Sequence, residues 1–225
     1  MIALLLLPLL LATTTLAAPS QKRGSQGGCP VPASAFSLPA TLAPIQSAPI
    51  FTTVGMGKQN YTCSASGNYT STGAVAQLFD ISCLFGQGEF SNIQDDVFSL
   101  WSSCPSTDPS DPGLAQRLKH NWNISPVGQH YFVNNNGTLV PVFDFTSTGN
   151  LKGNPDAIFF GKKIGDIPSP DGSDNVDWLE LQEVSGELAN DVYRVNTVRG
   201  QPPASCKPGS GDISVKYTAK YGMSA

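Results

Sequence analysis

The amino-acid sequence predicts a mainly β fold, an antiparallel β-sandwich or barrel with one or two short helices in an insert. Three observations lead there. From residue 129 onward, short runs of β-branched and aromatic residues recur between turns such as Pro168-Ser-Pro-Asp-Gly172 and Gln201-Pro-Pro203. The last run alternates strictly, with Ile213, Val215, Tyr217, Ala219 and Tyr221 on one face and Ser214, Lys216, Thr218 and Lys220 on the other. That is the period of an antiparallel strand buried on one side only. The third observation is an interruption: Phe90, Ile93, Val97, Leu100 and Trp101 recur at helical spacing within residues 89–101.

Taken in order, residues 1–18 join an apolar core to small residues, the pattern of a secretory signal peptide cleaved after Ala17 or Ala18. The apolar run is too short for a membrane span, so no membrane anchor is expected. Residues 19–49 are rich in Gly, Ser, Pro and Ala and read as an extended arm, with Lys22-Arg23 fitting a second, dibasic processing site. A single β-rich domain follows over 50–225. Strands are expected over 50–56, 59–63, 74–81, 129–133, 138–145, 157–164, 176–184, 190–197 and 213–221. After the 89–101 helix, Asp111-Pro112 suits an N-cap and first helical residue, with Leu114 and Leu118 on the buried face of a second helix. A weak internal echo links Gln59, Tyr61 and Phe79-Asp80 to Gln129, Tyr131 and Phe143-Asp144.

The formal net charge is −4, and without Lys22 and Arg23 the balance is 11 basic against 17 acidic residues. No nucleic acid and no anionic membrane is expected as a partner. Charged residues make up 13% of the chain, against about 25% in ordinary soluble domains. Glycans would compensate, and four sequons supply acceptors at Asn60, Asn68, Asn123 and Asn136. Asn68 and Asn136 sit in turn-like contexts, whereas Asn60 lies inside an expected strand and is expected to stay bare. The secretory route calls for disulfides among the five cysteines. Cys63 and Cys83 flank one expected hairpin and are paired here. Cys29 and Cys206 stand at the two ends of the mature chain and are paired to close it, leaving Cys104 over.

Catalytic signals are sparse. There is no G-x-S-x-G and no H-E-x-x-H, and the two histidines, His120 and His130, make no metal set with the cysteines, so neither a metal nor a cofactor is expected. His130 falls in an expected strand, where an imidazole beside Asp80 or Asp144 would serve a hydrolase as general base. As ligand-contacting candidates the strands offer Gln59, Tyr61, Tyr131, Trp178, Arg194 and Asn196, with Trp178 either covered by the helical insert or exposed as a sugar-stacking platform. The balance of residues favours a secreted, non-catalytic binding or surface-interaction domain with carbohydrate as the candidate ligand. The alternatives are that hydrolase and a structural wall or matrix protein.

Five segments carry a resemblance. Gly-Lys-Gln-Asn-Tyr-Thr-Cys63, Ala-Gln-Leu-Phe-Asp-Ile-Ser-Cys83, Gly-Gln-His-Tyr-Phe132, Val-Asp-Trp-Leu-Glu-Leu181 and Tyr-Arg-Val-Asn-Thr-Val-Arg-Gly-Gln-Pro-Pro-Ala-Ser-Cys206 run in one order over residues 50–221. They resemble a family of secreted fungal proteins with bacterial relatives, catalogued as a domain of unknown function. The resemblance implies no catalytic residues. Members of that family sometimes carry the label malate dehydrogenase, which the residues do not support. A dinucleotide site needs G-x-G-x-x-G between strand and helix, and Gly55-Met-Gly57-Lys-Gln-Asn60 and Gly86-Gln-Gly88-Glu-Phe-Ser91 both lack the third glycine. The chain is therefore not read as a nicotinamide-dependent dehydrogenase.

Overall fold

The computed structural model describes residues 28–42 and 44–225. The signal-peptide cleavage sites and the dibasic pair lie outside the described residues. The eight described strands are β1 Phe51–Cys63, β2 Tyr69–Asp80, β3 Pro126–Asn135, β4 Thr138–Asp144, β5 Ile158–Ile167, β6 Trp178–Gly186, β7 Asp191–Arg199 and β8 Ile213–Ser224. Each pairs antiparallel with the next, and β8 pairs back onto β1 to close a barrel. Between β2 and β3 lie the two helices, α1 Glu89–Ser103 and α2 Pro112–Trp122. The fold is thus the barrel of the two architectures expected, and closure leaves the sheet without free edges.

Alternation along the strands sorts the core into two layers. Leu78, Phe143, Phe159, Leu181, Val192, Tyr217, Ala219 and Tyr221 point inward and fill the lumen. Val54, Met56, Phe79, Tyr193 and Val195 point outward and are covered by Phe90, Ile93, Val97, Leu100 and Trp101 of α1, which lies across β8, β1 and β7. Val31, Phe36 and Leu42 of the N-terminal arm join the outer layer. The helical spacing in the sequence thus matches the side that packs on the barrel.

Two local results differ from the sequence expectation. The break expected near Gly57 does not exist, and β1 runs on for 13 residues. Gly55 and Gly57 face the lumen. A Cβ on Gly55 would come within 2.6 Å of the Tyr221 ring, and one on Gly57 within 2.6 Å of the Ala76 Cβ. They are spacers for neighbouring side chains rather than turn residues. The second difference is β8, which is buried on both faces in its C-terminal part because α1 covers the polar side. Thr218 Oγ1 donates to Gln94 O at 2.7 Å and Lys220 Nζ to Ser91 O at 3.0 Å. Lys216 Nζ donates to Trp101 O and Cys104 O at 2.9 and 3.0 Å. That places a cation at the end of α1 where the helix dipole and the orphan carbonyls favour one. The Trp101 indole N–H donates to Gly57 O at 3.2 Å. At α2, Asp111 is the N-cap, accepting from Gly113 N–H at 2.8 Å, and Pro112 opens the helix. Leu114 and Leu118 are buried.

The disulfides are Cys29–Cys83 and Cys63–Cys206, with Cα–Cα distances of 5.0 and 5.9 Å, and Cys104 is free. This corrects the expected pairs Cys63–Cys83 and Cys29–Cys206. In the β1–β2 register Cys63 lies opposite Tyr69 at the turn, while Thr53 lies opposite Asp80 at the open end, beyond which Cys83 follows. Ten residues of strand separate those ends, about 33 Å at the strand rise, far beyond the reach of a disulfide. Cys63–Cys206 spans 143 residues of sequence, a loop whose closure is worth about 5 kcal/mol in the chain-entropy account. Non-reducing peptide mapping is expected to recover Cys29–Cys83 and Cys63–Cys206, and recovery of Cys63–Cys83 would refute the register. Gly55→Val is expected to lower stability by roughly 1–3 kcal/mol or more through overpacking against Tyr221, as read from denaturant unfolding. An unchanged midpoint would show that the ring does not fill that space.

Candidate functional site

Alternation on β1, β3 and β7 carries Gln59, Tyr61, His130 and Arg194 into the lumen, which they share with Tyr217 and Tyr221. Tyr61 OH donates to Gly200 O at 2.8 Å, and the Tyr217 and Tyr221 hydroxyls lie 3.0 Å apart. Arg194 donates from Nε and Nη2 to Asp177 O at 3.0 and 2.8 Å. Gln59 Nε2 has no hydrogen-bond partner among the described residues. Burial pushes the Tyr61 hydroxyl up to about 12, the nearby Arg194 partly opposing it. An eight-stranded barrel is just wide enough to be filled by side chains or to hold one small ligand. Here Phe143 and Tyr217 are fully buried and Tyr221 is 1% exposed, so side chains fill it.

His130 is part of that filling. Its ring stacks on Phe143 at 4.3 Å, meets Phe132 edge-on at 5.2 Å, and hydrogen-bonds through Nδ1 with Val142 O at 2.8 Å. A carbonyl only accepts, so Nδ1 carries the proton. Desolvation holds the imidazole down to about 4, against the Val142 carbonyl, which favours the charged form.

The structure does not bring His130 together with either carboxylate of the hydrolase reading. Asp144 points out of the barrel, where it accepts from Thr146 N–H at 2.8 Å and from the Tyr131 hydroxyl at 3.2 Å. Asp80 caps the turn after β2, accepting from Ser82 N–H at 2.8 Å. His130 lies opposite Ala76, four residues or about 13 Å along β2 from Asp80. The internal echo is not structural either, since Tyr61 faces the lumen and Tyr131 the outside. Trp178 is 5% exposed within the outer layer, covered rather than presented. Asn196 has φ 45° at a bulge in β7, so it does not share a simple alternating face with Arg194.

A smaller depression of about 330 Å³ touches Gln129, His130 and Tyr131, but a wider surface groove lies at the barrel end where β2, β7 and β8 meet their loops. An open groove of about 1010 Å³ is lined by Tyr69, Phe98, Asp174, Arg199, Gln201 and Pro203, among others. Each residue arrives by a different route. Tyr69 opens β2 and leans edge-on against Tyr61 at 6.4 Å between centroids. Phe98 comes from α1, Arg199 ends β7, and Gln201 and Pro203 follow it. Arg199 Nη1 donates to Asp174 at 2.7 Å in a pair that is more than half exposed on both sides. Arg199 N–H donates to Asn175 Oδ1 at 2.6 Å, so the loop before β6 positions the end of β7. Sequence reasoning read Gln201-Pro-Pro203 as a turn and passed over Tyr69. The adjoining proline pair was the one available signal of a rigid wall.

Of the sequons, Asn68 is exposed and lines this groove. Asn123 and Asn136 have φ 56° and 51° at the end of α2 and at the β3–β4 turn. Asn60 lies in β1, its Oδ1 accepting from Ser214 Oγ at 2.7 Å.

The buried histidine makes a pH prediction. Its folded-state value lies below the unfolded one near 6.5, so the unfolded chain binds the extra proton between those values. Stability is complete above about pH 6.5 and falls as pH drops toward about 4, by roughly 3 kcal/mol over the window. Urea unfolding across that range is expected to show the loss, and His130→Phe is expected to flatten it. A His130→Phe slope equal to the parent's would assign the acid sensitivity to other groups.

A family model described as Protein of unknown function (DUF3455) matches residues 44–223. No curated protein matches the chain, and no solved structure matches it.

Proposed function

We propose a function from geometry alone, because the chain belongs to the DUF3455 family and that family's description carries no activity. The protein is a secreted, non-catalytic binding domain that takes neutral carbohydrate in the groove at the Tyr69–Arg199 end of the barrel. The observation that supports this most is the groove's composition. An aromatic ring, Tyr69, stands beside a guanidinium, Arg199, a side-chain amide, Gln201, and a carboxylate, Asp174, along one open channel. A sugar has an apolar C–H face and a rim of hydroxyls. Tyr offers a flat surface with a polar tip, and the Arg fork and amide offer donors and acceptors in fixed directions. Asp174 occupies one donor of the Arg199 fork. The acidic balance of the chain disfavours an anionic ligand. The two disulfides fit the oxidising environment of the secretory route. Against the hydrolase reading stands His130, buried at 4% exposure and stacked on Phe143, with Asp144 pointing out of the barrel and Asp80 capping a turn.

The test is a panel of neutral oligosaccharides offered to protein produced without N-glycans, followed by NMR shift perturbation and calorimetry. At least one member is expected to perturb Tyr69 and Gln201. Tyr69→Ala and Arg199→Ala are each expected to weaken binding about tenfold, the loss of one good contact near 1.4 kcal/mol, while Asp144→Asn leaves it unchanged. Binding that survives both groove variants would place the site elsewhere.

A further inference from the structure

Asn68 and Tyr69 are consecutive residues of one sequon, Asn68-Tyr69-Thr70, and both line the groove. The turn that carries them is held firmly. Ser64 N–H donates to Asn68 O at 2.8 Å, and Asn68 N–H donates to Ser64 Oγ at 3.2 Å. Cys63, one residue before Ser64, is bonded to Cys206, and Cys206 N–H donates to Gly67 O at 2.9 Å. The disulfide therefore fixes Asn68 relative to Pro202, Pro203 and Ala204, which form the facing wall. The Asn68 side chain is exposed, and its Nδ2 makes only a 3.3 Å contact with Ser66 Oγ. Thr70, whose hydroxyl completes the acceptor motif, is exposed too. The other sequons lack this setting: Asn60 is held in a strand, Asn136 sits at a hairpin tip, and Asn123 is followed by a buried Ile124.

We propose that Asn68 carries an N-linked glycan whose first sugars lie in the groove against Tyr69, so that the chain's own modification occupies the binding site in cis. The attachment atom is already at the rim, so the first residues of the glycan reach the channel without any change in the backbone. Tethering also gives the glycan an effective concentration in the millimolar range for a short link. A free saccharide of ordinary affinity is then excluded until the glycan is absent or trimmed. The exclusion rests on the carbohydrate reading of the groove, while the seating of the glycan is a separate claim with its own readout.

Three measurements on protein secreted from a eukaryotic host test it. Glycopeptide mass spectrometry is expected to find Asn68 occupied, and an unmodified Asn68 overturns the proposal. The native protein is then treated with an endoglycosidase. Release from Asn68 is expected to be at least tenfold slower than in the folded Tyr69→Ala variant, which keeps the sequon, and slower than release from Asn136 where that site is modified. Arg199→Ala, a surface change on the same groove, is expected to speed release in the same direction. Equal release rates in wild type and both variants overturn the seating. Asn68→Gln is expected to raise free-saccharide affinity about tenfold. Protection of the Asn68 glycan with no saccharide binding by Asn68→Gln would keep the seated glycan and remove the proposed function. Saccharide binding unchanged by Asn68→Gln, with ready release, would do the reverse.

Discussion

The pairing of β8 back onto β1 is the constraint on which the rest depends. Eleven residues of each strand are in register, from Phe51 opposite Met223 to Tyr61 opposite Ile213. Without that seam the sheet would have two long edges and an exposed lumen of aromatic rings. The seam closes because glycines of β1 leave room for tyrosines of β8. Gly55 leaves the space into which the Tyr221 ring settles, and Gly57 sits directly opposite Tyr217. The two tyrosine hydroxyls then satisfy one another in the middle of the barrel. Burying two phenols is tolerable because each has a hydrogen-bond partner.

Closure in turn explains the outer layer. A closed barrel buries only its inward residues, yet Val54, Met56, Phe79, Tyr193 and Val195 point out. They mark where a second layer must lie, and α1 supplies it. What positions the helix is the polar face of β8: Lys216, Thr218 and Lys220 reach the carbonyls of Trp101 and Cys104, Gln94 and Ser91 in turn, one strand running along one helix. Lys220 illustrates the cost. It is 5% exposed, and desolvation brings its ammonium down to about 8 although Asp95 and Asp171 oppose the shift. At neutral pH it remains charged, hydrogen-bonded to Ser91 O and resting over the Phe90 ring.

How much of this was legible in the sequence follows from the range of each signal. Helix α1 was legible because its five apolar residues lie within four turns and share one face. The cap of α2 was legible because Asp111 and Pro112 are adjacent. Strand β8 was legible on its inward side only; its polar side reads as solvent-facing until helix α1, whose contacts with it span 115 to 129 residues of sequence, is known to cover it. The disulfides were misread for a related reason. Counting cysteines around a hairpin says nothing about which end of the hairpin each occupies, and only the β1–β2 register puts Cys63 at the turn and Cys83 beyond the open end. His130 shows the limit most sharply. A histidine in a strand, with Asp80 and Asp144 at the ends of two other strands, looks catalytic, but alternation sends His130 inward and Asp144 outward, and a buried ring stacked on Phe143 is a core residue.

The same reasoning separates the lumen from the site. Arg194 and Tyr61 carry the chemistry that sequence reading seeks, yet they hold the barrel together, Arg194 on Asp177 O and Tyr61 on Gly200 O, while Gln59 is buried beside them in the lumen. The groove is assembled instead from chain ends and loops contributed by β2, β6, β7, β8 and α1, none of which forms a motif by itself. What joins them is the Cys63–Cys206 bridge, which ties the β1–β2 turn to the segment after β7. One covalent bond thus serves both levels, restraining a loop of most of the domain and setting Asn68 and Tyr69 against the Pro202-Pro203 wall. The groove proposed for binding lies where the barrel's loops are clamped, and the filled lumen supplies the rigidity against which those loops are held.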